Sequence, residues 1–220
     1  MKVAVLVPRR CDGGRRDELW AWVKARHVDL YPDWPIYEGH HTDGRFNRAK
    51  AINDAARAAG PWDAAIVMDA DSFVPEAAPV DALRLAEATG ACVYAHDEYH
   101  GLSFEDSEAV MAGERDPEGC KPAFFARKTC SSYQVVPRAL WDAIGGFDEG
   151  FEGWGGEDVA FYYAAYTFGA VAEVRGPMFH LWHEPAWDAG HGHDKPNVDR
   201  MLRYQACIGK RERMAAIRAS

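Results

Sequence analysis

The sequence lacks any apolar run near the roughly 20 residues that a membrane-spanning helix requires. It also lacks paired-cysteine spacing. Its five cysteines, Cys11, Cys92, Cys120, Cys130 and Cys207, are scattered and odd in number. That excludes a CxxC zinc or redox motif and points to reduced thiols in a cytoplasmic compartment. Positive charge is in deficit: 25 Lys and Arg stand against 34 Asp and Glu, a formal charge of −9, which argues against generic attraction to a nucleic-acid backbone. There is no GxxxxGK[ST] segment, which argues against a P-loop type of phosphoryl transferase. No repeat or low-complexity tract interrupts the chain. The opening MKVAVLVPRRC meets Pro8, Arg9 and Arg10 too soon to read as a signal peptide, and is expected as a buried first strand.

What is present is a globular composition, 48% hydrophobic over 220 residues, enough for one sizeable domain. The apolar, β-branched run over residues 3–8 predicts a strand covered on both faces. Residues 16–27 read as a helix, Ile36-Tyr37 as a short strand, and the alanine-rich stretch Phe46–Ala59 as an amphipathic helix stopped by Gly60-Pro61. Strands over 64–69 and 91–96 flank a helix over 77–89. This alternation predicts an α/β protein with a mostly parallel sheet and helices on both faces. Residues 97–128 are turn-rich and are expected as a long mobile loop. Beyond them the pattern predicts a strand in SSYQVV, a short helix in RALWDAIG, and a tyrosine-rich helix running to Phe168. Strands in VAEVRG and PMFHLWH follow, and a helix over about 197–215 closes the chain.

Four clusters carry chemistry. Asp69-Ala70-Asp71 follows the strand IVM, at the strand end where open α/β sheets bind ligands. Two aspartates at i and i+2 repel each other unless a cation sits between them, and oxygen ligands suit hard ions that also take phosphate oxygens. His180 and His183 lie three apart in MFHLWHE, and both reach one ion only if the strand ends or bends there; Pro185 makes such an ending reasonable. His191, His193 and Asp194 form a second histidine tract, but their glycines read as a surface loop. Arg45, Arg48 and Lys50 open the second helix against its dipole, a cost understandable if they face a diphosphate that the helix end also attracts. Arg9 and Arg10 end the first strand near the same edge. Lastly, FEGWGGED sets three glycines around Trp154 and then Glu157 and Asp158 at a helix start.

In this order, PRR, FNRAKAIN, MDADS and GGFDEGFEGWGGEDVAF resemble the β-1,4-galactosyltransferase family and its bacterial and phage relatives, which have the GT-A fold. The resemblance spans roughly residues 3–184; FNRAK and GWGGED are its specific parts. It implies a metal-dependent, inverting transfer of a hexose from a nucleotide sugar, UDP-linked, to an acceptor hydroxyl. It implies nucleotide-sugar contacts from Pro8, Arg9, Arg10, Phe46, Asn47, Arg48, Lys50, Asp69 and Asp71, with Mn²⁺ or Mg²⁺ held by Asp71, His180 and His183. It implies Trp154 against donor and acceptor sugars, Gly155 beside the acceptor, Asp158 as the catalytic base and Glu157 on sugar hydroxyls. The chain then reads as one domain: a nucleotide-sugar half (1–96), the loop (97–128) and a catalytic and acceptor half (129–220).

Three features depart from the family pattern: His180 stands where a methionine is usual, Val159 replaces a further aspartate, and no membrane anchor, stem or disulfide pattern is visible. The short anchorless form suits a bacterial or phage enzyme. The acceptor is open among a glycan, a protein side chain, a lipid-linked sugar and a modified nucleobase. Two competing readings are an inactive sugar- or nucleotide-binding protein of the same fold and a metal-dependent nucleotidyl or phosphoryl transferase.

Overall fold

The protein is described by a computed structural model covering residues 1–153, 155–184 and 195–218. The first half alternates strands and helices: β1 (Val3–Arg9), α1 (Arg15–Leu30), β2 (Ile36–His40), α2 (Arg48–Ala58), β3 (Ala64–Val67), β4 (Ser72–Phe73), α3 (Ala77–Thr89) and β5 (Cys92–Tyr94). The β1 residues show why the run is apolar on both faces. Val3, Val5 and Val7 join a core with Leu19 and Trp20 of α1 and Ala82 of α3, whereas Ala4 and Leu6 join a second core with Ile52 and Ala55 of α2. β3 divides in the same way, Ala64 and Ile66 to the first core and Ala65 and Val67 to the second. Helices therefore cover both faces.

β2 runs three residues beyond Tyr37 because Gly39 lets α2 lie directly upon it. A Cβ at Gly39 would fall 1.7 Å from the Ala51 carbonyl oxygen, so no side chain fits between strand and helix.

The segment 97–128, expected as a loop, is built of regular elements: β6 (Glu98–Gly101), α4 (Phe104–Met111), a 3₁₀ turn at Pro117–Gly119 and β7 (Phe124–Arg127). Ser103 caps α4 by accepting from Asp106 N at 3.0 Å. After β7 come β8 (Gln134–Pro137), α5 (Arg138–Ile144), α6 (Glu157–Phe168), β9 (Val171–Glu173) and β10 (Pro177–His180). The C-terminal stretch expected as one helix is two, α7 (Lys195–Ala206) and α8 (Arg211–Arg218).

The strands form two sheets. The larger has the order β2-β1-β3-β8-β5-β9 and is mixed: β1 runs parallel to β2 and β3, and β5 to β9, but β8 is antiparallel to both β3 and β5. The second sheet, β4-β10-β6-β7, uses the segment that sequence pattern left unstructured. Its ladders place the later histidines. β10 pairs antiparallel with β4 so that His180 opposes Ser72, the residue after Asp71, and Leu181 N donates to the Asp71 carbonyl at 2.8 Å.

Candidate active site

Asp69, Ala70 and Asp71 follow β3 and lead into β4, so their backbone is held from both sheets. Met68 N bonds back to Leu6 O at 3.1 Å, and Asp69 N donates to Ser132 Oγ at 2.9 Å. Ser132 is fully buried, adopts φ 54°, and its hydroxyl also meets Ser72 Oγ at 2.8 Å. A non-glycine residue in that region carries backbone strain, and here it fixes the strand end on which the aspartates stand. His96 supports the same turn, its Nε2 lying 3.1 Å from Ser131 O and 3.2 Å from Ser132 O.

The two aspartates face different partners. Asp71 is buried and receives both histidines: His180 Nε2 lies 3.4 Å from Oδ1 and His183 Nε2 lies 3.1 Å from Oδ2. One ligand atom from each of the three falls within 4.8 Å of the others. His180 is the last residue of β10, so the chain is free to turn and bring His183 to the same point. His183 Nδ1 lies 2.7 Å from the Glu184 carbonyl, a contact that suits a protonated Nδ1 and orients the ring with Nε2 towards Asp71. Arg16 flanks the group, with Nη2 3.1 Å from His183 Nδ1 and Nη1 3.9 Å from Asp71 Oδ2.

Burial opposes ionisation of Asp71, but His180, His183 and Arg16 outweigh it and hold its carboxyl below the usual range. Burial pushes His180 down, more strongly than Asp71 pulls it up. His183 is pushed down by burial, yet its bond to Asp71 carries it above the ordinary histidine value. Two imidazole nitrogens and one carboxylate, leaving sides open for oxygen ligands, suit a transition ion such as Mn²⁺ better than Mg²⁺.

Asp69 turns the other way, to Arg48. Arg48 Nε and Nη2 donate to Asp69 Oδ1 at 3.0 and 2.6 Å, Nη1 donates to Asp158 Oδ1 at 2.6 Å, and Glu157 Oε1 lies 3.7 Å away. Three carboxylates thus share one guanidinium. Burial, reinforced by the Glu157 and Asp69 charges, raises Asp158 to about 8 despite Arg48. Cys130 stands near these acids, and burial pushes its thiol up to about 12, which keeps it inert as a nucleophile.

Glu157 and Asp158 begin α6, whose preceding residue Gly156 takes φ 98°. A Cβ there would meet the Phe151 ring at 2.9 Å, so the loop closes onto Phe151 only with glycine. The loop is tied on both sides: Gly153 N donates to Phe46 O at 2.9 Å, and Asn197 Nδ2 to Glu152 O at 3.0 Å. Gly155 lies within it, whereas Trp154 and the tract containing His191, His193 and Asp194 fall outside the described residues.

The remaining predicted residues are placed less uniformly. Asn47 caps α2, accepting from Lys50 N at 2.8 Å and donating to Glu149 O at 2.7 Å, so its side chain is spent on structure. Arg9 is engaged by Asp17 and by Glu38 at 2.9 Å. Arg10 is exposed and braces the 42–44 loop through the Gly44 carbonyl at 2.8 Å. Pro8 is buried opposite Gly39. Phe46 and Lys50 are partly exposed, and Lys50 Nζ lies 3.4 Å from Asp54. Arg16, Ser72, His96 and Ser132 were not singled out by sequence, because their roles depend on partners far along the chain. A separate hollow of about 650 Å³ lies beyond α2, and its four arginines are already committed, Arg57 to Glu149, Arg138 to Asp142, Arg200 to Asp148 and Arg218 to the Gly145 carbonyl.

Comparison with known proteins bears on the fold. Residues 118–168 match the family described as the N-terminal domain of galactosyltransferase. Human chondroitin sulfate N-acetylgalactosaminyltransferase 2 is 31% identical over 150 residues, 63% of this chain and 27% of that protein. The chain thus spans under a third of the curated relative's length. Such relatives are animal proteins, which leaves the bacterial or phage expectation without support. Among solved structures, S. aureus TarS in complex with UDP-GlcNAc superimposes with a TM-score of 0.56 at 13% identity, covering 100% of this chain and 71% of that one. The catalytic domain of Drosophila β1,4-galactosyltransferase 7 with xylobiose gives 0.50 at 20% identity, over 79% and 64%. The chain has the GT-A glycosyltransferase fold.

Proposed function

We propose that this chain is a metal-dependent inverting glycosyltransferase that moves a hexose from a UDP-linked donor to an acceptor hydroxyl. One observation carries the reading: a three-residue turn directs Asp71 to two imidazoles and Asp69, through Arg48, to Glu157 and Asp158. A cation site and an acid–base site therefore stand at the two ends of one short strand connection.

Asp71, His180 and His183 would hold Mn²⁺. Bound there, the ion neutralises charge developing on the leaving diphosphate. Arg10, just past the strand that holds buried Pro8, would face the donor with Phe46 and Lys50, and Arg16 adds positive charge next to the imidazoles. Asp158 takes the proton from the acceptor hydroxyl as its oxygen attacks the anomeric carbon from the face opposite the diphosphate, so the configuration inverts. Glu157, Trp154 and Gly155 orient the sugars. The names of the similar proteins favour galactose or N-acetylgalactosamine as the donor sugar and a glycan as the acceptor. Five free cysteines fit a reducing compartment such as the cytoplasm. Among the described residues no helix is long and apolar enough to cross a membrane.

The test is titration calorimetry of UDP with and without Mn²⁺, followed by mass spectrometry of products from a UDP-sugar panel. Metal-dependent binding and donor turnover are expected. Binding indifferent to Mn²⁺, with every donor left intact, rejects the reading.

A further inference from the structure

We infer that Arg48 is a positioning residue that braces Asp158 against Asp69, and that it is not a ligand for the donor diphosphate. The inference rests on Asp158 being the acceptor base.

Three of the five N–H groups of the Arg48 guanidinium, one on each nitrogen, are already committed to carboxylates. Its Nε and Nη2 both donate to Asp69 Oδ1, at 3.0 and 2.6 Å, and its Nη1 donates to Asp158 Oδ1 at 2.6 Å. All three nitrogens face carboxylates, and the side chain is only 13% exposed. With Glu157 3.7 Å away, the group carries three ionisable acids against one cation, so an approaching diphosphate meets net negative charge there. The position is also costly for a cation in itself. Arg48 is the first residue of α2, whose first turn contains no acid, and a helix start disfavours positive charge. The carboxylates from β3 and α6 offset that cost.

The two ends of the brace differ in rigidity. Asp69 is anchored through Ser132 Oγ on a buried turn. Asp158 rides on a helix entered through Gly155 and Gly156, both at positive φ, so local backbone preference does little to fix its direction. Arg48 holds Oδ1, and Oδ2 has no donor among the described residues. The brace thus leaves one carboxylate oxygen directed to an incoming hydroxyl, an arrangement worth much in rate because a small misplacement of a catalytic group is expensive.

The experiment compares wild type, Arg48→Gln, Arg48→Lys, Asp158→Asn and the Arg48→Gln/Asp158→Asn double variant. Titration calorimetry measures UDP binding with Mn²⁺, and UDP-GalNAc and UDP-galactose hydrolysis gives kcat, KM and their pH dependence. The expected result is UDP affinity within about threefold of wild type and kcat lowered about 10²-fold in Arg48→Gln, the scale of misplaced general-base catalysis. Arg48→Lys recovers part of kcat, and the acidic limb of the Arg48→Gln profile, where activity rises as Asp158 loses its proton, moves to higher pH. The double variant is no slower than Asp158→Asn, because Arg48 acts through that residue. A tenfold or greater loss of UDP affinity with kcat preserved makes Arg48 a diphosphate ligand and overturns the inference, as do unchanged kinetics in both Arg48→Gln and Arg48→Lys. If Arg48→Gln does not fold, Arg48→Lys decides: lower kcat at unchanged UDP affinity supports the brace, any other pattern overturns it. A wild-type protein that neither binds UDP with Mn²⁺ nor turns over either donor overturns the glycosyltransferase reading itself, a result distinct from failure at Arg48.

Discussion

His183 Nε2 stands 3.1 Å from Asp71 Oδ2, although one residue follows β10 and the other precedes β4. The antiparallel β4–β10 ladder makes that meeting obligatory, since His180 opposes the residue next to Asp71. Replacing either member removes a third of the proposed ligand set. Asp71→Ala and His183→Ala are each expected to weaken Mn²⁺-dependent UDP binding by at least about tenfold, the loss that even an outer partner of a metal ligand causes. Calorimetry with and without Mn²⁺ reads this, and unchanged affinity in both variants rejects the ligand set.

The same pair sets a pH dependence for the metal. Asp71 raises His183 above the ordinary histidine value, so without a cation the imidazole keeps its proton to higher pH than a free histidine. Metal binding must displace that proton. Mn²⁺ affinity therefore falls as pH drops through the raised His183 pKa and is at full strength above it. Mn²⁺ titrations across neutral pH test the direction; affinity that rises on acidification contradicts it.

Asp158 predicts opposite responses in activity and stability. Its pKa is raised to about 8, chiefly by burial, so the free protein gains active base as pH rises through that value. Asp158→Asn should retain UDP binding and lose about 10²–10⁴ in transfer, the usual worth of a placed general base. Between the ordinary aspartate range and about 8, the unfolded chain has released a proton that the folded chain retains, so stability falls with rising pH. The amide escapes this penalty. The variant's melting temperature should therefore gain on wild type as pH increases over that window, measured by calorimetric scans; a gap that narrows argues against the raised pKa.

The loop that leads to these acids depends on Asp148. It is buried, accepts from Arg200 Nε at 2.7 Å and Nη2 at 2.9 Å, from Tyr204 Oη at 2.8 Å and from Gly150 N at 2.9 Å. The bonds tie α7 to the start of the loop. Asp148→Ala strands the Arg200 guanidinium and should cost about 3–5 kcal/mol, the scale for breaking a buried pair from one side. Denaturant unfolding measures it, and a change under about 1 kcal/mol shows the pair to be peripheral.

The central strands and α2 were legible because their residues are buried on definite faces, and burial leaves a period in the sequence. Val3, Val5 and Val7 alternate with Ala4 and Leu6, and α2 repeats Ala49, Ile52 and Ala56. β6 and β7 were not legible. Each is four residues long, the exposed Phe124 and Phe125 break any alternation, and their sheet is completed by β10 far along the chain. One local signal was readable in that stretch, Ser103 followed three residues later by Asp106 at the start of α4. β8 runs antiparallel between β3 and β5, a pairing made across the fold that no local pattern encodes. At the site, the residue types were visible in DAD and HLWH. The division of labour between Asp69 and Asp71 was not, because Arg48 and Ser132 acquire their partners only through the folded chain.

The glycines of FEGWGGED supply the last prediction. Gly156 holds φ 98°, and a Cβ would lie 2.9 Å from the Phe151 ring and 3.3 Å from the Asn197 carbonyl oxygen. Gly156→Ala should therefore cost about 1–3 kcal/mol for the conformation alone. Relief of the crowding can come only from moving Phe151 or the start of α6, and α6 carries Glu157 and Asp158. Donor turnover should accordingly fall further than UDP affinity, since Asp71, His180 and His183 lie on other elements. Gly119→Ala is the control: nothing lies within 4 Å of a Cβ there and its backbone is not left-handed, so both stability and turnover should stay at wild-type values. Equal thermal unfolding of the two variants would mean that the loop accepts a side chain at Gly156, and that the helix start is not held by the fit against Phe151.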